Sequence, residues 1–455
     1  MMGKKLHIVS LGCPKNLVDS EVMAASLEEA GFSITDHEEE AEVLLLNTCA
    51  FILPAKEESI EEILRLAQWK TAGPCRHLVV TGCLPQRYGR EIARELPEVD
   101  LFLGTGEVDG IADHIQKLVA LRQPMQQCIV HKPTFLMTAS HRRLISTPFY
   151  SAYLKIAEGC SNHCSYCVIP SIRGQARSRT IEDIHREALE LVRNGVRELI
   201  ITAQNTTAYG RDLPGKPTLP DLLRTLGKIV DLRWIRLLYT YPSELTDDLF
   251  FTMAQEKKMC PYIDIPVQHI DDEILHLMHR RGGSEFIRNV IRRAREIIPD
   301  VALRTSLIVG FPGETPARFR RLLHFIDEAR FDHLGVFTYS PEEGTEARSF
   351  PNPVSEKTRK RRKAAIMEEQ ARISGEIGQT LISSVQEVLV EGRSGMPAYP
   401  YIGRSQRQAP DIDGVTYLRG KGLSPGDFIT CRIEAADEYD LFGVTLMKEN
   451  QTFRR

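Results

Sequence analysis

The chain has 455 residues, 42% hydrophobic and 26% charged, with 58 basic against 61 acidic side chains. That composition excludes a disordered or fibrous chain, and the near-cancelling charge excludes a bulk field that would draw the whole molecule onto nucleic acid or an anionic membrane. The length predicts roughly three domains, and the longest apolar runs, such as Val43 to Leu46 and Leu199 to Ile201, fall far short of the roughly 20 residues of a membrane span.

Residues 1–120 alternate short β-rich runs with helical patterns. Leu6–Ser10 reads as a strand, Asn16–Ala30 as a helix, Val43–Asn47 as a strand, Pro54–Lys70 as a helix and His77–Thr81 as a third strand. This alternation predicts an N-terminal parallel, doubly wound α/β sheet. Met1–Ser10 carries two lysines but lacks the roughly 7–15-residue apolar core of a signal peptide, so the expected location is the cytoplasm. From 121 to 148 the periodicity fades and Pro124, Pro133 and Pro148 enter, which reads as a linker.

Residues 149–352 hold six further apolar runs, at Tyr153–Glu158, Glu198–Ala203, Trp234–Tyr239, Tyr262–Pro266, Ala302–Val309 and His333–Tyr339, separated by helix-length segments. A full barrel of this kind has eight such units, so six predict a partial (β/α)6 barrel. Residues 353–377 read as a linking helix. Their basic run, Lys357 and Arg359 to Lys363, could touch RNA, or could form a solvated face balanced by Glu368 and Glu369. In 378–448, strand runs at Val385–Val390, Gly414–Leu418, Asp427–Ala435 and Phe442–Met447 alternate with Gly and Pro turns, the pattern of a small OB-like β-barrel.

Ten cysteines in a chain expected to meet reducing thiol pools argue against disulfides and for metal sites. Cys160, Cys164 and Cys167 form C-x3-C-x2-C directly after the first strand of the second series. Three thiolates can hold three irons of a 4Fe-4S cubane and leave the fourth open for a substrate, just as catalytic metals keep a vacant position. Zinc would want a fourth Cys or His, and His163 inside the motif is poorly spaced to point inward. Cys13, Cys49 and Cys83 follow three strands of the first series, at separations of 36 and 34 residues. In a parallel sheet the strand ends lie side by side at the carboxyl edge, so three distant thiols converge on a second set of three; buried core thiols are the alternative. Cys75, Cys128, Cys260 and Cys431 have no partner spacing and read as packing residues, Cys75 lying at the opposite edge of its strand.

Gln204 and Asn205 end the second strand of the second series, and Arg304 to Glu314 runs into the Pro312-Gly313 turn. Gln204, Asn205, Arg304 and Gly310 are candidates for holding the amine, carboxylate and adenine of a nucleoside cofactor, with ordinary turn chemistry as the alternative. Gln268 and His269, after the fourth strand, would also face the barrel mouth.

The C-x3-C-x2-C motif after the first barrel strand resembles the radical S-adenosylmethionine superfamily. Its combination with an N-terminal three-cysteine unit and a C-terminal barrel of the TRAM type resembles the methylthiotransferases over nearly the whole chain. SLGCPKNLVDSE at 10–21, NTCAFI at 47–52, TGCLPQRY at 81–88, YLKIAEGCSNHCSYCVIPSIRG at 153–174, DIPVQH at 264–269 and GRSQRQAPDIDG at 403–414 are similar to the RimO-type branch, which modifies ribosomal protein S-12. The resemblance implies two 4Fe-4S clusters, one on Cys13, Cys49 and Cys83 and one on Cys160, Cys164 and Cys167, with S-adenosylmethionine at the open iron of the second. It implies attachment of a methylthio group to the β-carbon of an aspartate, with electrons from a donor such as flavodoxin or ferredoxin. Two departures stand out: Asn205 occupies a place where the family commonly has Asp, and a loose G-x-I-x-G-x-x-E pattern is only partly met by Ser306, Ile308, Gly310 and Gly313, with Glu314 one place late.

The family also includes enzymes of the MiaB type that act on adenosine in tRNA, and charge discriminates between the two substrates. Residues 378–446 carry nine acids and six bases, a balance of −3. A phosphate-binding module is basic, so an acidic barrel suits a basic ribosomal protein better than tRNA, with ordinary surface variation as the alternative. A non-catalytic two-cluster electron carrier is a third reading, and three cysteines per set argue against it.

Overall fold

Two strands of the first unit, Val43–Thr48 and His77–Gly82, are buried at every position, the pattern of parallel strands covered on both faces. In a computed structural model describing residues 3–121 and 125–446 they are β3 and β4 of a parallel sheet with β1 (Lys5–Ser10), β2 (Ser33–Ile34), β5 (Leu101–Leu103) and β6 (Gln127–Ile129), in the order β2-β1-β3-β4-β5-β6. The strands β2, β5 and β6 are two or three residues long, too short to show a period. β6 lies inside the expected linker and pairs with β5 through Phe102 and Cys128. The rest of that linker is packed as well: Phe135 and Met137 are buried, and Arg143 binds Glu21 and Glu187, each at 2.5 Å. Pro124, Met1, Met447 and residue 448 lie outside the described residues.

The second sheet contains β7 (Ser151–Lys155), β10 (Glu198–Thr202), β11 (Trp234–Leu237), β12 (Met259–Asp264), β13 (Ala302–Val309) and β14 (His333–Thr338). Between β7 and β10 the chain forms a two-stranded ribbon, β8 (Ala157–Glu158) with β9 (Arg177–Ser178). The sheet runs in chain order, all parallel, with β7 and β14 as its two edges, as an open six-unit (β/α) sheet. Helix residues such as Ile184, Leu222, Ile291 and Phe325 cover one face together with Leu199, Ile263 and Leu307. The opposite face offers Tyr153, Ile200, Trp234 and Tyr262, which share a core with Val18 and Val22 from the helix Pro14–Glu29 of the first unit. One helix of the first unit thus fills the inner face of the second. Among the described residues, no helix is long and apolar enough to cross a membrane.

The helix Glu356–Leu381, capped by Ser355, leads to a closed barrel of β15 (Val385–Met396), β16 (Tyr399–Ser405), β17 (Thr416–Arg419), β18 (Phe428–Ala436) and β19 (Leu441–Thr445). Sequence pattern misses β16 because its run includes Pro400, which cannot donate to a ladder. The basic run is not balanced as expected. Glu369 pairs with Arg372 at 2.5 Å, and Arg362 turns inward to Glu314 at 2.7 Å.

The barrel docks on the amino ends of the second sheet. Glu198, the first residue of β10, accepts from Arg236 of β11 at 3.0 Å and Arg404 of β16 at 2.7 Å, all three buried. Burial pushes the Glu198 carboxyl up, but the two guanidiniums outweigh it and hold it at about 2. Replacing Glu198 by Gln would leave buried Arg236 without a counter-charge and Arg404 with Glu391 alone, at 2.7 Å, a loss of about 3–5 kcal/mol, so the calorimetric melting midpoint of E198Q should fall well below that of the parent. Because the folded-state value is depressed, the stabilisation is complete above the ordinary carboxylate range near about 4.3 and is lost as pH falls toward about 2. An acid titration of the parent's melting midpoint should therefore show a decline across that window that is shallower in E198Q, where Glu158, held equally low, still contributes.

Candidate functional site

Cys13 sits at the N-cap of the helix Pro14–Glu29, Cys49 follows β3, and Cys83 opens the short helix Cys83–Tyr88 after β4. Since β1, β3 and β4 are adjacent, their carboxyl-end turns meet. Two glycines allow the approach: Gly12 at φ +92 and Gly82 at φ +96 occupy backbone that favours glycine, and a Cβ on Gly12 would lie 2.7 Å from the Cys49 Cβ. Asparagines lace the turns together. Asn16 Nδ2 donates to the Leu11 and Thr48 carbonyls at 3.0 and 2.8 Å, and Asn47 Nδ2 donates to the Asn16 carbonyl and Ser20 Oγ, each at 2.9 Å. Burial raises the Cys13 thiol, yet Lys15, Arg173 and backbone N–H groups overcome it and leave the thiol below its ordinary value. Burial and the neighbouring Cys83 push Cys49 up to about 12; burial likewise raises Cys83. Three thiolates gathered around one guanidinium would repel one another, so the donor set calls for a multivalent cation.

Cys160, Cys164 and Cys167 occupy the loop after β8. The loop is held by its own backbone: Cys160 N–H donates to the Gly174 carbonyl and Cys167 N–H to that of Cys164, each at 3.0 Å, while Ser165 Oγ donates to the Leu277 carbonyl at 2.6 Å. The Tyr241 hydroxyl lies 3.9 Å from Cys164 Sγ, and the Arg280 guanidinium covers that tyrosine ring at 4.0 Å. Burial and the neighbouring Cys164 push Cys167 up to about 12. His163 is exposed. Among the described residues no three His, Cys, Asp or Glu side chains stand close enough to share one ion; a cubane asks for a wider triangle, because each thiolate takes a different iron.

Arg173 joins the two sets. It ends the helix Ile169–Arg173 that follows Cys167, yet its Nη2 lies 3.6 Å from Cys83 Sγ. The same side chain donates to Asn16 and pairs with Asp19 at 2.6 Å and Glu158 at 3.5 Å. Lys155 completes the knot by pairing with Asp19 and, at 2.8 Å, with Glu158. All of these charges are buried. Burial raises the Glu158 carboxyl, but Lys155 and Arg173 prevail and hold it at about 2. Lys15 lies 3.3 Å from the centre of the Tyr239 ring, just beyond β11. Sequence reading overlooked Lys15, Asp19, Lys155, Glu158 and Arg173. Polar residues at 15, 16, 19 and 20, one stripe of a helix that starts at a cysteine, were the available signal.

The four cofactor candidates separate. Gln204 Nε2 donates to Glu158 at 2.5 Å, while its Oε1 is buried without a partner, as is Thr202 Oγ1 at the end of β10. Asn205 donates to Glu244 at 2.8 Å, and Thr207 and Arg211 hold the same carboxylate. Arg304 lies near the start of β13, where it pairs with Asp264 at 3.1 Å and with Asp413 of the C-terminal barrel at 3.4 Å. The Gly310 N–H is taken by Glu314 at 2.7 Å, and a Cβ there would collide with Arg359, so packing accounts for this glycine. His269 is fully buried, with Nδ1 accepting from the Asp271 N–H at 3.0 Å, and Gln268 bridges to Leu307. Of the remaining cysteines, Cys75, Cys260 and Cys431 are buried and Cys128 is half-buried.

Residues 5–104 match the uncharacterized protein family UPF0004, 154–326 the radical SAM superfamily and 382–446 the TRAM domain. Over 445 residues the chain is 64% identical to the ribosomal protein uS12 methylthiotransferase RimO of Syntrophus aciditrophicus, spanning 97% of this chain and 98% of that protein. The protein of the same description from Geobacter sulfurreducens is 52% identical over 440 residues, again with 97% and 98% coverage. Among solved structures, the radical S-adenosylmethionine methyltransferase TsrM of Kitasatospora setae is similar in fold, with a TM-score of 0.55 at 14% identity, over 84% of this chain and 78% of that one.

Proposed function

The chain belongs to the family of ribosomal protein uS12 methylthiotransferases, and on that premise we propose how its own residues carry the reaction. It is a radical S-adenosylmethionine enzyme that uses 4Fe-4S clusters to transfer a methylthio group to ribosomal protein S-12. The acceptor we assign is the β-carbon of an aspartate. Cys13, Cys49 and Cys83 would hold one cluster, and Cys160, Cys164 and Cys167 the other. Three features support the fit: six thiols in two sets, the Gly12 approach that a Cβ would block, and the unpartnered Gln204 Oε1 at the end of β10.

When bound, S-adenosylmethionine and reduced iron–sulfur supply one-electron chemistry that reaches a C–H no side-chain base could deprotonate near neutral pH. The chain supplies position and charge. Arg173 and Lys15 offset the negative charge of the first thiolate set, and Arg280 and Tyr241 flank Cys164. Gln204 Oε1 is free to accept from the cofactor's ammonium, and Asn205, Thr207 and Arg211 fix Glu244 in one orientation. The contact of Arg173 with Cys83 carries this reading, because it brings the loop of one cysteine set against the other.

The donor we assign is of the flavodoxin or ferredoxin type. Exposed Asp427, Asp437 and Glu438 support the acidic barrel of 378–448 as a dock for the basic substrate protein. That barrel lies at the opposite end of the second sheet from the cysteine loops, so a protein reaching both spans about 20 Å of strand. We divide the chain into an N-terminal α/β unit at 1–120, a connecting segment at 121–148, the six-unit sheet at 149–352 and a linking helix at 353–377 before that barrel. Mass spectrometry of S-12 and of tRNA from cells with and without this chain tests the function. A methylthio mass gain on an aspartate peptide of S-12 should vanish with the chain; loss from tRNA adenosine alone would overturn it.

A further inference from the structure

Charge along the helices Pro316–Ala329 and Glu356–Leu381 is segregated by end. Residues 315–324 hold three arginines and no acid, and residues 355–365 hold six bases and one acid, in a chain whose overall balance is −3. The acids follow later, as Asp327 and Glu328 on one helix and Glu368, Glu369 and Glu376 on the other. Both basic starts lie at the carboxyl ends of β13 and β14, where Arg359 donates to the Tyr339 carbonyl and packs on Gly310. That is the end of the sheet carrying Gln204 and the Cys160 loop.

Four of these nine cations are already paired with carboxylates. Arg318 and Arg321 pair with Asp271 and Arg318 also with Glu273, Arg362 with Glu314, and Lys360 with Glu356. Arg320, Lys357, Arg361 and Lys363 are exposed, and among the described residues none has a carboxylate within 4.0 Å. Glu369, which could have reached back toward them, is turned to Arg372. The helices run side by side, fixed by Arg372 to Asp327 at 2.5 Å and Arg330 to Glu376 at 2.8 Å. Lys357 and Arg361 are neighbours four residues apart on one, Arg320 stands on the other, and Lys363 flanks them about a third of a turn away, so the four surround the two helix starts as a basic surface at the rim of the site.

We propose that this face binds the phosphate backbone of ribosomal RNA, so that the enzyme grips its substrate protein as part of an RNA-bearing particle. The inference rests on S-12 as the substrate. A basic ribosomal protein would be repelled here, whereas phosphates would release counterions on contact with these side chains, and like charges held unpaired around one rim suit a polyanion.

The test compares the full-length reconstituted enzyme with a variant carrying Arg320→Gln, Lys357→Gln, Arg361→Gln and Lys363→Gln, exposed helix positions that glutamine tolerates. Binding to small ribosomal subunits from cells lacking the enzyme is measured across a salt series. Removing four phosphate contacts should flatten the slope of log affinity against log salt by about 3 and weaken low-salt binding at least tenfold, while modification of free S-12 protein stays unchanged. Protein-free ribosomal RNA should compete for the parent enzyme. An unchanged slope, or a loss seen equally with free S-12, would overturn the proposal. Failure of the parent to modify S-12 in any form would instead defeat the substrate assignment, and the RNA binding would be scored apart from it.

Discussion

Cys49→Ala is expected to lower the iron content from about eight to about four atoms per chain and to abolish methylthio transfer while cleavage of S-adenosylmethionine by the reduced protein persists. Cys49 stands between Gly12 and Cys83, and two remaining thiols of that set cannot hold a cubane with one open iron. The mirror variant, Cys164→Ala, should lose about the same iron but also lose cleavage, because its set follows β8 beside Gln204. Cys128→Ala, at an edge strand away from both sets, should keep all the iron. Iron and acid-labile sulfide analysis with electron paramagnetic resonance reads the result. Full iron retention in C49A, or full loss in C128A, would remove the cysteine assignment.

Arg173→Leu is expected to have the second largest effect, and through position rather than contact with the reacting atoms. It strips the positive charge facing Cys83, and leaves buried Asp19 and Glu158 with Lys155 alone. Breaking a buried pair of this kind costs about 3–5 kcal/mol, visible as a lower melting midpoint. A nearby cation favours the more negative, reduced state of a cluster, so its removal should drive the reduction potential of the Cys83 site lower. Transfer should fall by about tenfold or more, equivalent to about 1.4 kcal/mol of barrier. Arg173→Lys keeps the charge but cannot reach Asn16, Asp19 and Cys83 together, so it should restore most of the potential and little of the stability. Redox titration followed by spectroscopy separates these outcomes, and an unchanged potential in R173L would leave Arg173 as a structural tie only.

Strands of four or more residues were largely legible, because burial on both faces writes an uninterrupted apolar run, as in Val43–Leu46. Strands such as Leu101–Leu103 and Gln127–Ile129 were not, since they owe their form to an existing edge rather than to their own pattern. The two cysteine sets could be read from spacing and from their places after strands. What spacing could not convey is that Arg173, six residues after Cys167, reaches across to a thiol 90 residues earlier. Long polar side chains act over distances that local periodicity does not encode. The same limit misled the view of Lys357 to Lys363: a nearby glutamate in sequence is no partner when another arginine claims it.

The knot around Arg173 also bears on how the protein is made. It joins Asp19 of the first helix to Lys155 and Arg173, 136 and 154 residues later, and its members are closed off from water, so it forms only after synthesis has passed the second cysteine set. Until then Asp19 lacks Arg173, and its charge is balanced by Lys155 alone. Cys13 and Cys49 stay half-buried in the finished fold, so the knot locks the two units against each other without sealing these thiols from water.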